Sequence, residues 1–197
     1  MHGMICKSLE SFLISTYGPE VWARVRRAAH LGEEHFETMR IYDDIVFQRT
    51  LEAASKVLGR PSAGVMEDVG IWICTHPPLE PVRRLFRFCG TTFRTFLFSL
   101  DEIEARARMA LPDLILPSYS LREVGANRYE VRSIWSMPGA SDALSGILRV
   151  LASDYGALIV IETVTAERRA GGWHETISVQ LFEENFHEPA AFVLGGA

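Results

Sequence analysis

Cysteine is scarce in this chain. Cys6, Cys74 and Cys89 are its three thiols, none in a CxxC pair or at zinc-ligand spacing, and an odd number is a poor basis for a disulfide framework. Free thiols in a reducing compartment are expected. No apolar run approaches the roughly 18 residues that a membrane-spanning helix needs. The short apolar alternation from Met1 to Cys6 has no basic region, apolar core and small-residue cleavage site of the signal-peptide kind. The expectation is a soluble, cytoplasmic protein with no membrane partner. A basic excess is also missing: 20 Lys and Arg against 25 Asp and Glu give a formal charge of −5, which argues against a general nucleic-acid binder. There is no internal repeat, low-complexity tract or long linker. GxSxG, P-loop, HExxH, EF-hand and Rossmann glycine patterns are all absent, and the six histidines are scattered without a short metal spacing. No constellation for an enzyme remains.

What is present is apolar and patterned. With 48% hydrophobic residues over 197 positions and a mean hydropathy of +0.08, the chain can bury a substantial core as one domain or two closely packed subdomains. Ile5, Leu9, Phe12 and Leu13 mark one side of a helix ending near Gly18. Pro19 and Glu20 suit the first turn of a second helix, packed through Val21, Trp22 and Val25. Asp43 or Asp44 caps a third that runs to Gly59, Ser62 caps a fourth that Pro77 and Pro78 stop, and a short one covers Leu79 to Cys89.

The stretch FRTFLFSLDEIEARARMALPDLILP, Phe93 to Pro117, organises the rest. At helical spacing Phe93, Phe96, Leu97, Leu100, Glu104, Ala107 and Leu111 share one face of a single helix running to Pro112. Glu104 interrupts that stripe. Two readings follow: the carboxylate emerges at the margin and pairs with Arg108 one turn on, or it sits in an apolar cavity where ionisation is costly.

After Pro117 the period changes from 3.6 to 2. Tyr119 to Val124 and Arg128 to Trp135 flank a three-residue connection, Gly125 to Asn127, of the hairpin kind. A helix starting at Ser141 or Asp142 closes at Gly156, the run ALIVIETVT follows, and Gly171 and Gly172 signal a second hairpin. Ile177, Val179 and Leu181 then alternate with polar residues. The fold class expected is α+β, helices first, then a mostly antiparallel sheet with a helix packed on it.

Most polar features have an ordinary explanation. Asp43 and Asp44 cap a helix, since adjacent side chains diverge. His76 is a C-terminal helix residue, Cys74 a buried thiol and Cys89 an exposed one. Arg83, Arg84, Arg87, Arg94, Arg106 and Arg108 make a basic segment, either a solvated face or a docking surface for an acidic partner.

Taken in order, the motifs MHGMICKSLESFL, GPEVW, LEAASKVLGRP, GIWICTH, LDEIEARARMALPDLILPSY and GILRVLASDYG resemble those of the H-NOX (haem nitric oxide/oxygen binding) domains, bacterial relatives of the sensor domain of soluble guanylate cyclase. The resemblance covers nearly the whole chain. It implies the H-NOX fold, with an N-terminal helical part over 1–62 and helices plus antiparallel sheet over 63–197. It also implies that the chain is a sensor rather than an enzyme, since the cyclase activity of those relatives belongs to a separate domain. The implied partner is a signalling protein such as a histidine kinase or a diguanylate cyclase.

The same resemblance assigns positions, and the sequence departs from them. The family's proximal haem ligand, a histidine three residues after the Asp of a Leu-Asp pair, falls on Glu104, with Leu100 and Asp101 in place. A carboxylate is a hard donor unsuited to ferrous haem. The family's Tyr-x-Ser-x-Arg propionate clamp falls on Ser133, Trp135 and Met137, aligned through Gly139 and Gly146. A shifted register offers Tyr129 or Arg132 but never the whole triplet. Trp72, Ile73, Leu100 and Pro117 stand where the family builds its cavity wall. The expectation is a degenerate H-NOX protein that has lost haem b, its former cavity filled by Trp135 and Met137 or holding another apolar small molecule. The alternative is a haem sensor with a substitute axial ligand such as His76 or Cys89.

Overall fold

The computed structural model describes residues 1–32 and 34–190. Helices come first: α1 (Gly3–Tyr17), α2 (Pro19–Ala28), α3 (Asp44–Leu58), α4 (Ser62–Thr75), α5 (Glu80–Arg87), α6 (Phe93–Phe98) and α7 (Ile103–Ala110). Strands β1 (Ser118–Gly125) and β2 (Arg128–Trp135), helix α8 (Ala140–Tyr155), and strands β3 (Leu158–Arg169) and β4 (Gly172–Glu183) follow. The strands form one antiparallel sheet in the order β1-β2-β4-β3. The class is α+β.

Two apolar clusters organise the packing. One joins Leu9 and Leu13 of α1, Trp22 and Val25 of α2, Phe47 and Leu51 of α3 and Val65, Met66 and Val69 of α4 to Trp135 and Met137. The other places Leu144, Leu148 and Leu151 of α8 against Tyr129, Val131, Ile177, Val179 and Leu181 of the sheet, with Phe93, Phe96, Leu97 and Leu100 completing it. The period-2 alternation in β4 therefore does put Ile177, Val179 and Leu181 on the covered face.

Three expectations are corrected. The single helix from Phe93 is broken: α6 ends at Phe98, a 3₁₀ turn covers Leu100–Glu102, and α7 restarts at Ile103. The cause is local. Ser99 sends both its backbone N–H and its hydroxyl to the Phe96 carbonyl, at 3.0 and 2.7 Å, which tightens the chain to the i→i−3 pattern. Each 3₁₀ residue advances about 120° against 100° in an α-helix, so three of them rotate everything downstream by about 60°. Phe93, Phe96, Leu97 and Leu100 stay buried while Glu104 and Ala107 turn to the margin. Second, β1 runs into Gly125, which leaves a two-residue turn, Ala126-Asn127, with Asn127 in the left-handed region at φ 57°. Third, α8 starts at Ala140, before either expected cap, because a residue from another strand caps it.

Helices α4 and α8 cross at backbone contact. A Cβ on Gly70 would lie 2.0 Å from the Ala143 carbonyl oxygen, and one on Gly146 would lie 2.1 Å from that of Glu67. Replacing Gly146 with Ala must push two rigid helices apart, at a cost of about 2–3 kcal/mol. In Gly64→Ala the added methyl meets only the Arg60 side chain at 3.6 Å, so helix propensity dominates and stability rises by up to about 1 kcal/mol. Urea unfolding midpoints of the two variants should move in opposite directions.

Candidate functional site

Glu104, where the resemblance puts the family's proximal ligand, lies on α7. Glu104 is one-quarter exposed and accepts a hydrogen bond from the Arg108 guanidinium one turn on, an i,i+4 ion pair. Of the two readings open from the sequence, this geometry is the marginal pair. Leu100 and Pro117 are both buried, Leu100 in the sheet-side cluster.

Ser133, Trp135 and Met137, where the resemblance puts the propionate clamp, run along β2 and beyond it. Ser133 is 2% exposed, and its hydroxyl has no partner among the described residues. Trp135 meets Phe47 edge to face, ring centroids 6.4 Å apart, and Met137 is buried beside them in the helical cluster. Of the alternatives in a shifted register, Tyr129 is buried with its hydroxyl on Arg94, and Arg132 is exposed and 3.9 Å from Glu130.

Ser133 pairs with Tyr119 of β1 on one side and Glu175 of β4 on the other, a polar row across the covered face. Glu175 is 3% exposed, and its two oxygens accept the backbone N–H groups of Gly139 and Ser141 at 2.8 Å each. A buried carboxylate thus supplies the α8 N-terminus with the acceptors and negative charge that helix starts favour. Burial, and then the Glu175 charge, push the Tyr119 phenol well above its ordinary range. Glu175 went unnoticed in the sequence, although a signal existed: Trp173, Glu175, Ile177, Val179 and Leu181 share one parity, and a charge inside an inward-facing alternation needs a buried partner.

Trp72 and Ile73 pack against the helical cluster. The Trp72 indole N–H donates to the Ser15 hydroxyl at 2.8 Å, and its ring stacks on His76 at 4.5 Å. His76 caps α4, as expected. Cys74 is buried, and burial pushes its thiol up to about 12. Cys89 is half-buried rather than exposed, with the Arg106 guanidinium 3.4 Å from its sulfur. Among the described residues no three His, Cys, Asp or Glu side chains gather in a metal-holding group. Trp72, Ile73, Trp135 and Met137 therefore share one cluster and Leu100 belongs to the other.

The arginines of the basic segment have partners within and beyond it. Arg83 grips buried Asp154 of α8 with two donors, Arg84 pairs with Glu80, Arg106 with Glu102, and Arg94 lies 3.6 Å from Glu184. Arg87 lies over the Tyr155 ring. Beside these ion pairs the segment exposes three large apolar side chains, Leu85 at 65%, Phe88 at 58% and Met109 at 87%.

Near the α8 cap, burial and the neighbouring carboxylates of Glu175 and Glu67 push Asp142 from 3.8 up to about 6. The protonated form is favoured by the fold, so stability falls as pH rises from 3.8 to about 6 and the full cost persists above that. Asp142→Asn removes the cost. It should add about 1 kcal/mol at neutral pH, after allowing for partial exposure, and the gain should vanish below about pH 4. Urea unfolding across the pH series reads both signs.

The profile of the family described as Haem-NO-binding matches residues 2–163. Soluble guanylate cyclase 89Da of Drosophila melanogaster is 25% identical over 158 residues, 80% of this chain and 24% of the relative. Soluble guanylate cyclase gcy-31 of Caenorhabditis elegans is 23% identical over 119 residues, 60% of this chain and 17% of the relative. The chain thus spans about a quarter or less of the curated relatives it matches. Among solved structures, a Cs H-NOX mutant carrying 4-cyano-L-phenylalanine superposes with TM-score 0.75 at 16% identity, over 95% of this chain and all of the other. A mutant of the T. tengcongensis H-NOX does so with TM-score 0.75 at 16% identity, over 93% and 99%. These structures share the fold. The chain belongs to the haem-NO-binding, or H-NOX, family and is related to the sensor domains of soluble guanylate cyclases.

Proposed function

We propose that this chain is a haem-free H-NOX module that signals by contact with a partner enzyme, a histidine kinase or a diguanylate cyclase. The observation that carries the reading is the Glu104–Arg108 pair. The position from which the family presents an imidazole holds a carboxylate already committed to a guanidinium on its own helix, and a hard anionic donor does not hold ferrous iron.

The clamp positions support the same reading. A propionate pair is held by hydroxyls and a guanidinium, but Trp135 and Met137 are apolar and packed into the core, and Ser133 is the one hydroxyl among the three. The buried charge in that row is the Glu175 carboxylate, which would repel a second anion. The residues present do not fit haem. With iron absent, a signal in this chain has to pass through protein surface, and the exposed apolar side chains of Leu85 on α5, Phe88 just after it and Met109 on α7 are the contacts offered to a partner.

Absorbance spectra with added haemin, oxidised and dithionite-reduced, test the cofactor half beside Glu104→His. The wild type should give no stoichiometric Soret shift. Tight binding followed by a ferrous carbon monoxide complex would overturn the reading and direct attention to a substitute ligand such as His76 or Cys89. Binding by Glu104→His alone would assign the loss to the missing imidazole. For the partner half, a co-purified kinase or cyclase should change activity when the chain is added, and Leu85→Asp with Phe88→Asp should weaken that effect at least tenfold, about 1.4 kcal/mol of contact energy. An effect unchanged by the double variant would place the contact elsewhere.

A further inference from the structure

The helical half holds a cavity that plays no part in the haem question. It lies between α2, the 29–42 connection and α3, and has a volume of about 220 Å³. The walls are aromatic. Trp22 and Phe36 sit with ring centroids 5.8 Å apart, and Tyr42 meets Phe36 edge to face at 5.1 Å. All three rings are at most 8% exposed.

The connection is fastened in place. The indole N–H of Trp22 donates to the Glu34 carbonyl at 3.0 Å, and the Glu37 backbone N–H donates to the Tyr42 hydroxyl at 2.9 Å. Glu10 of α1, fully buried, accepts the Phe36 N–H and contacts the His35 imidazole, both at 2.7 Å. His30 at the cavity's edge holds φ 53°, a left-handed conformation that a side-chain-bearing residue adopts at a cost. A cavity whose walls are pinned by a buried carboxylate and an indole hydrogen bond is preformed.

The arginines among the described lining residues are Arg40 and Arg49. Arg40 reaches over the Tyr42 ring at 5.0 Å and lies 3.6 Å from Glu37. Arg49 lines the cavity from α3, is exposed, and has no carboxylate or other partner among the described residues. His30 and His35 line it as well, and none of the described lining residues is acidic. Anions are drawn to such a place, and an unpaired guanidinium offers a fork matched to a carboxylate.

Size and walls narrow the class. The volume exceeds the roughly 150 Å³ of an apolar cavity that accepts benzene and falls short of the roughly 300 Å³ at which drug-sized pockets begin. Three rings favour a flat unsaturated body in edge or face contact, and one uncommitted guanidinium suits a single negative charge. We propose that this cavity binds a small aromatic carboxylate, one ring held among Trp22, Phe36 and Tyr42 with its carboxylate on Arg49. The helical half is then a ligand-reading element in its own right.

Calorimetric titration of the full chain with phenylacetate, at low ionic strength and neutral pH, tests this. Saturable one-to-one binding is expected with Kd between about 10 µM and 1 mM, the range open to a one-ring ligand. The indole N–H resonance of Trp22, assigned by its loss in Trp22→Phe, should shift with the same Kd. Arg49→Gln should weaken binding at least tenfold with an unchanged urea midpoint, while Arg24→Gln, an exposed neighbour off the cavity, should not. Acetate and inorganic phosphate should each bind at least tenfold more weakly. The proposal fails if phenylacetate gives no saturation by about 10 mM, if Arg49→Gln binds like wild type, or if acetate or phosphate binds equally well, which would mark an anion-attracting surface without ring recognition.

Discussion

Helix α8 is the member on which the rest of the molecule depends, and what fixes it is the absence of side-chain volume on one side and the presence of a buried charge on the other. Against α4 it approaches so closely that Gly70 and Gly146 have carbonyl oxygens about where a Cβ would stand. At its N-terminus both oxygens of Glu175 hold the free backbone N–H groups, and farther along Asp154 takes the Arg83 guanidinium. Desolvating Glu175 is tolerable because each of its oxygens receives a well-directed N–H at the positive end of the helix. The sheet, α5 and the helical half all take their positions from this one helix.

From that arrangement follows the character of the family site. Trp135 and Met137 leave the end of β2 just before α8 begins, and they turn into the helical cluster with Phe47. Large apolar side chains there join the two halves directly, as a buried aromatic contact can. Glu104 and Arg108 satisfy each other on α7, where the guanidinium is half exposed and the carboxylate keeps part of its surface in solvent. On α5 and α7 the exposed Leu85 and Met109 stand beside arginines that have found carboxylates or rings of their own.

The helical half has an independent logic. The described residues of its long connection between α2 and α3 are held by Glu10, by Trp22 and by a backbone bridge from Ile41 to His2, and the rings that line it close on each other in pairs. A loop fixed by a few buried polar contacts leaves a half-open space that helices packed face to face would have filled.

Sequence periodicity alone determined the order of helices and strands, the α+β class and the inward set Ile177, Val179 and Leu181, because each depends on contacts a few residues apart that repeat at 3.6 or 2. The motifs from the opening helix to GILRVLASDYG were also enough to identify the family, and Glu104 stood out as a carboxylate in an apolar stripe. Only the tertiary structure decided which way that carboxylate turned, since a 3₁₀ turn at Leu100–Glu102 rotated the helix after it. The capping of α8 by Glu175, 34 residues beyond Ser141, and the cavity under the 29–42 connection were likewise beyond local pattern. Both arise from residues distant in the chain, brought together by packing that no window of the sequence contains.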